Sequence, residues 1–85
     1  MSKSAFTDAH RILVNAIAKM REEHGLQQVE LAARLGKNQS YISRIEGGQR
    51  RVDVVEFYAI ARAIGIDPID WFTGIVKDFP ATVDV

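Results

Sequence analysis

Eleven Lys and Arg side chains balance eleven Asp and Glu, yet the two signs are unevenly placed along the 85 residues. Eight of the bases (Arg11, Lys19, Arg21, Arg34, Lys37, Arg44, Arg50 and Arg51) fall between residues 10 and 51, against four acids. From residue 52 onward two bases meet six acids. A chain polarised in this way can present one basic face while neutral in sum, and the chemistry open to such a face is the binding of anions. Other chemistry has little to work with. His10 and His24 are the only histidines and no second ligand stands at a metal-binding spacing from either. The absence of Cys excludes disulfides and thiolate metal sites. No Ser-His-acid set or pair of carboxylates suggests catalysis, and Gly47-Gly48 lacks the Lys-Ser/Thr of a phosphate-binding loop. The expectation is a binding protein: no enzyme, no cofactor, no metal.

Helices must carry these side chains, because apolar residues recur at helical spacing and strand-like alternation is absent. A first helix is expected over 7–24, with Leu13, Ile17 and Met20 facing inward and Gly25 ending it. A short second helix over 28–35 buries Leu31, Ala32 and Leu35, and Gly36 closes it. Asn38 is placed to cap a third helix over 39–46, in which Ile42 and Ile45 point inward. After a loop over 47–51, Asp53-Val54-Val55-Glu56 has the form of a capping box and opens a fourth helix that runs to Ile64. Asp67-Pro68 starts a fifth, with Pro at the first helical position, and Pro80 stops it soon after Asp78. The result is an all-α, single-domain chain: a flexible N-terminus over 1–8, a body over 9–79 and a tail over 80–85. No apolar run approaches the ~20 residues that span a bilayer. The N-terminus has no apolar signal-peptide core, so a cytoplasmic protein without a membrane partner is expected.

The most specific signal is the run from Gln28 to Ile45, two short helices joined by a tight turn. Ala32 stands where the helices approach, and Gly36 where the backbone needs a positive φ that glycine takes at least cost. Such a unit lays its second helix in the major groove of DNA.

From about Ile17 to Phe72 the chain resembles the Cro/phage-repressor (XRE-type) helix-turn-helix family. The residues that carry the likeness are Arg21, Gly25-Leu26 with Gln28, Leu31-Ala32, Gly36, and the run from Tyr41 to Glu46. Gly48, Arg50-Arg51 and the pattern Phe57…Ile60-Ala61…Ile64-Gly65 continue it. Lys37 departs from the pattern, standing where the family usually has an apolar residue; its stem is expected to pack while its ammonium reaches solvent or a phosphate.

The resemblance implies a five-helix lambda-repressor-like domain that binds double-stranded DNA as a transcriptional regulator, with its helix-turn-helix over 28–46. It assigns base reading to Gln39, Ser40 and Arg44. The chemistry agrees, since Gln can pair with adenine and Arg with guanine in bidentate fashion. It makes Gln28 a phosphate clamp that often braces a recognition-helix residue. Lys37, Asn38, Tyr41, Arg50 and Arg51 are further phosphate candidates, and Arg21 and Glu46 form a structural ion pair. Phage-type repressor, restriction–modification controller and antitoxin are all compatible with this pattern.

The segment over 67–79 is apolar on two faces, Ile69, Phe72, Val76 and Phe79 on one and Trp71 and Ile75 on another. That excess points to self-association, with Ile69, Phe72, Ile75, Val76 and Phe79 as the interface of a homodimer on a palindromic operator. The competing expectation is a protein-interaction module that keeps the fold and binds a toxin or another regulator.

Overall fold

The computed structural model describes residues 7–84. Five helices follow one another: α1 (Asp8–Glu23), α2 (Gln28–Arg34), α3 (Gln39–Glu46), α4 (Val54–Ile64) and α5 (Pro68–Val76). Most of the flexible N-terminus expected from the sequence lies outside the described residues, and Asp8 is already helical. No described helix is long and apolar enough to cross a membrane.

Each boundary has a local cause. The Thr7 hydroxyl accepts from the His10 N–H at 3.2 Å and opens α1. Asp53 and Glu56 cap one another at the start of α4: the Asp53 carboxylate accepts from the Glu56 N–H at 2.7 Å. The Glu56 carboxylate in turn accepts from the Asp53 N–H at 3.0 Å. Such a box is worth about 1 kcal/mol. Asp67 accepts from the Ile69 N–H at 2.9 Å, with Pro68 at the head of α5. Gly36, at φ 69°, makes the turn from α2 towards α3, where a side chain would be strained.

The core collects Ile17 of α1, Leu31 and Ala32 of α2, Ile42 and Ile45 of α3, and Ile60 and Ala61 of α4, all without solvent contact. Each large aliphatic among them contributes roughly 1.5–3 kcal/mol. Ala32 is the small residue that lets α2 and α3 close on one another. On the other side Phe57 stacks on Trp71 at 4.6 Å between ring centres and meets Phe72 edge-on at 5.5 Å, which fastens α5 to α4. The Arg34 guanidinium donates to the carbonyl of Ala63 at 2.8 Å and ties α2 to the end of α4.

Three expectations need correction. The buried face of α1 is Ala9, His10, Val14, Ile17 and Arg21, while Leu13 and Met20 are only half-buried. The face is rotated because a charged residue, Arg21, occupies an inward position. Asn38 stands at the cap position of α3, but its side chain makes no capping bond and instead accepts from the Ser40 hydroxyl. Ile75, expected at a dimer interface, is 6% exposed and belongs to the monomer core with Trp71. The two apolar faces of α5 therefore differ: one completes the core, and the other leaves Ile69 75%, Phe72 43% and Val76 36% exposed. Phe79 packs half-buried behind them, its ring edge-on to Phe72 at 6.3 Å. Beside this face a cavity of about 590 Å³ opens between the start of α1, α4 and α5, and Val83 of the tail lines it too.

Candidate nucleic-acid interface

The amphipathic pattern of α3 decides which side chains it offers. Tyr41, Ile42 and Ile45 are buried, so Gln39, Ser40, Ser43 and Arg44 face solvent. Arg44 stands one turn beyond Ser40. Gly36 and the turn after α2 bring Gln28, at the start of that helix, against Gln39, at the start of α3.

A continuous chain of hydrogen bonds fixes the first of these reading candidates. Arg21 of α1 grips Glu46, at the end of α3, with Nε at 2.6 Å and Nη2 at 2.9 Å. Its Nη1 donates to the carbonyl of Leu26 at 2.7 Å, which holds the turn into α2. Glu46 Oε1 also accepts from Gln28 Nε2 at 2.9 Å. Gln28 Oε1 accepts in turn from Gln39 Nε2 at 2.7 Å. Side chains of Arg21 and Glu46 are 10% and 9% exposed, and the bidentate pair raises the Arg21 pKa above its ordinary value. Gln39 keeps its carbonyl oxygen and one N–H for another partner. An acceptor and a donor on one planar amide are what an adenine edge requires.

A second cluster lies where the loop after α3 meets α4. Arg50 Nη2 is 2.7 Å from Glu56 Oε2, and Arg50 Nη1 donates to the carbonyl of Arg51 at 2.9 Å. The same guanidinium lies over the Tyr41 ring at 4.8 Å, and the Lys37 ammonium lies over that ring at 5.4 Å. Tyr41 donates its hydroxyl proton to Glu56 Oε2 at 3.0 Å. The Arg50 hydrogen bond, foremost among several causes, holds the Glu56 carboxyl down at about 2. Burial, with the Glu56 bond second, raises the pKa of Tyr41.

Two sequence-based readings change here. Tyr41 was expected to bind a phosphate, but its single O–H is directed at Glu56 and its ring is buried, so it has no proton to give a phosphate oxygen. Glu56, read from the sequence only as half of a capping box, is also the partner of Arg50 and Tyr41. Its spacing from them gives no local hint, because the three residues come together only where α3, the loop after it and the start of α4 meet. Lys37 and Arg50 do come together at the Tyr41 ring, while Arg51 follows Arg50 in the loop and is exposed, as Asn38 is at the start of α3. Among the described residues no group of three or more His, Asp or Glu could hold a metal ion.

Comparison with known proteins agrees with this geometry. The Helix-turn-helix family matches residues 17–71. An uncharacterised HTH-type transcriptional regulator of Sinorhizobium fredii, y4dJ, is 35% identical over 66 residues, 78% of this chain and 86% of that protein. Control protein C.MunI of a Mycoplasma species is 34% identical over 65 residues, 75% of this chain and 88% of that protein. Among solved structures, an XRE-family-like protein from Pseudomonas syringae pv. tomato superposes with a TM-score of 0.78 at 38% identity. The match covers 85% of this chain and 88% of that one. The restriction–modification controller C.Esp1396I shares the fold at a TM-score of 0.78 and 24% identity, over 85% of this chain and 95% of that one. The chain belongs to the XRE-type helix-turn-helix family of DNA-binding transcriptional regulators.

Proposed function

We propose that the protein reads a roughly palindromic operator as a homodimer, with α3 of each protomer in the major groove. Gln39, Ser40 and Arg44 contact base edges. Gln28, Lys37, Asn38, Arg50 and Arg51 bind backbone phosphates and set the register without specifying sequence. The observation that carries this reading is the bond chain from Arg21 through Glu46 and Gln28 to Gln39. It immobilises an exposed amide that has no structural need to be immobile, and preorganisation of that kind serves recognition. The protein would work in the cytoplasm, beside the DNA it reads.

The dimer is supported by the exposed face of α5. Ile69, Phe72 and Val76, with Phe79 behind them, form an apolar surface that a twofold partner can cover, whereas Ile75 is already used in the core. Two recognition helices would then stand about 34 Å apart, one turn of DNA. C.Esp1396I has been solved as a tetramer in complex with its 35 base-pair operator, and a control protein stands among the relatives above. Both favour an operator-bound oligomer of the controller type. The same face would equally suit a different protein partner, and this is the reading that the test must separate.

Selection of purified protein against a randomised duplex library at two salt concentrations provides that test. Enrichment of a palindrome, with affinity falling steeply as salt rises, is the expected result. Enrichment of no motif at low salt would remove the operator reading and leave the α5 face as a protein-docking surface.

A further inference from the structure

We propose that Glu56 is a positioning residue for DNA binding: it clamps Arg50 over the Tyr41 ring so that the guanidinium is set before a phosphate arrives. This rests on the reading of Arg50 as a phosphate contact. The observation behind it is a carboxylate held from three sides. Glu56 Oε1 accepts from the Asp53 N–H at 3.0 Å, and Oε2 takes both the Tyr41 hydroxyl at 3.0 Å and Arg50 at 2.7 Å. A group with so many partners cannot follow Arg50 outward, so it acts as a fixed post. Arg50 would otherwise swing on a long side chain from a loop, with much rotamer freedom to lose on binding. Clamped, it uses two of its five N–H donors, on Glu56 and on the Arg51 carbonyl, and its side chain stays 37% exposed. Tyr41 lies on α3 itself, so the clamp ties the phosphate contact to the helix that reads bases.

Elementary electrostatics makes the opposite forecast. An anion near DNA repels it, and on that ground alone removing the charge of Glu56 would tighten binding. The sign of the effect therefore separates positioning from bystander charge. Glu56→Gln is suited to the purpose because Gln also closes a capping box, which leaves the start of α4 supported.

The experiment is a double-mutant cycle on the full chain, with a mixed-sequence 30 base-pair duplex as probe and fluorescence anisotropy at several salt concentrations. Wild type, Arg50→Ala, Glu56→Gln and the double variant are compared, and a thermal melt of each shows that it is folded. Arg50→Ala is expected to weaken binding several-fold and to reduce the salt slope by about 1. Glu56→Gln is expected to weaken binding in the same direction, and the double variant to bind no worse than Arg50→Ala alone. The proposal is overturned if Glu56→Gln tightens binding or leaves it unchanged, or if Arg50→Ala costs as much in the Glu56→Gln background as in wild type. If wild type binds the duplex and Arg50→Ala does not matter, the phosphate role of Arg50 falls and the clamp with it. A wild-type protein that binds no duplex at low salt removes the DNA reading itself, an outcome distinct from the others.

Discussion

Gln28 is bonded at both ends of its amide, donating to Glu46 at 2.9 Å and accepting from Gln39 at 2.7 Å. That double engagement turns the oxygen of the Gln28 amide towards the start of α3 and its nitrogen towards the end, and so fixes which end of Gln39 is left for a base. Replacing Gln28 by Ala is expected to leave the fold intact but release Gln39. Discrimination at the base pair read by Gln39 should fall by roughly 1 kcal/mol, part of the 1–3 kcal/mol that a good bidentate contact supplies. Relative binding of duplexes altered at single positions measures this. Unchanged discrimination at every position would separate Gln28 from reading.

Arg44→Ala is expected to relax selectivity at one base pair by about 1–3 kcal/mol, while the melting temperature hardly moves, because its side chain is exposed. Competition between the selected operator and its single-base variants would show it. Equal losses across all variants would instead make Arg44 a phosphate contact.

The ion pair at the root of the bond chain is a matter of stability. Arg21→Ala strands the nearly buried Glu46 and frees the Leu26 carbonyl, so a loss of about 3 kcal/mol is expected in urea denaturation. Replacing both members with Met should cost less than removing Arg21 alone, since no charge is then left behind. A double variant that is the less stable of the two would argue against this.

Stability should respond to acid in two separate windows. Burial lowers the pKa of His10, so folding favours its neutral form. Its contribution is complete above the unfolded value near 6.5 and is lost as pH falls through the lower folded value. Glu56, held at about 2 against an ordinary 4.5, contributes fully above 4.5 and loses that contribution towards pH 2. Denaturation series across pH should show both declines. His10→Gln is expected to flatten the upper one and Glu56→Gln to reduce the lower; a variant that moves the other window instead would contradict the assignment.

The two faces of α5 can be told apart by substitution. Phe72→Glu is expected to shift the protein towards monomer in sedimentation and weaken operator binding. Ile75→Ala is expected to lower stability by roughly 2–5 kcal/mol through a core cavity. A Phe72→Glu protein that sediments like wild type would remove this face from the dimer.

Most of the fold could be read from the chain because its signals are local. The bounds of α3 follow from the apolar period of Ile42 and Ile45 between Asn38 and Gly47, and Asp53 with Glu56 marks the start of α4. What escaped is tertiary. An apolar pattern says that α5 has two faces to bury but not which one the core takes, so Ile75 was assigned to the wrong side. Arg21 turned the inward face of α1 because its partner is twenty-five positions away on α3. Glu56 hid behind a sufficient local explanation: once the capping box accounted for it, nothing in its neighbours called for a second role.

The bond chain also divides the reading face by freedom to change. Gln39 is joined through Gln28 and Glu46 to Arg21 in the body of the protein, whereas among the described residues the Ser40 hydroxyl bonds only its neighbour Asn38 and Arg44 stands exposed. A lineage of such proteins could retarget the bases under Ser40 and Arg44 by single substitutions. Retargeting the base under Gln39 would require Gln28 to change in step. Operators would then drift quickly at some positions and slowly at one, a tempo set inside the protein and not by the DNA.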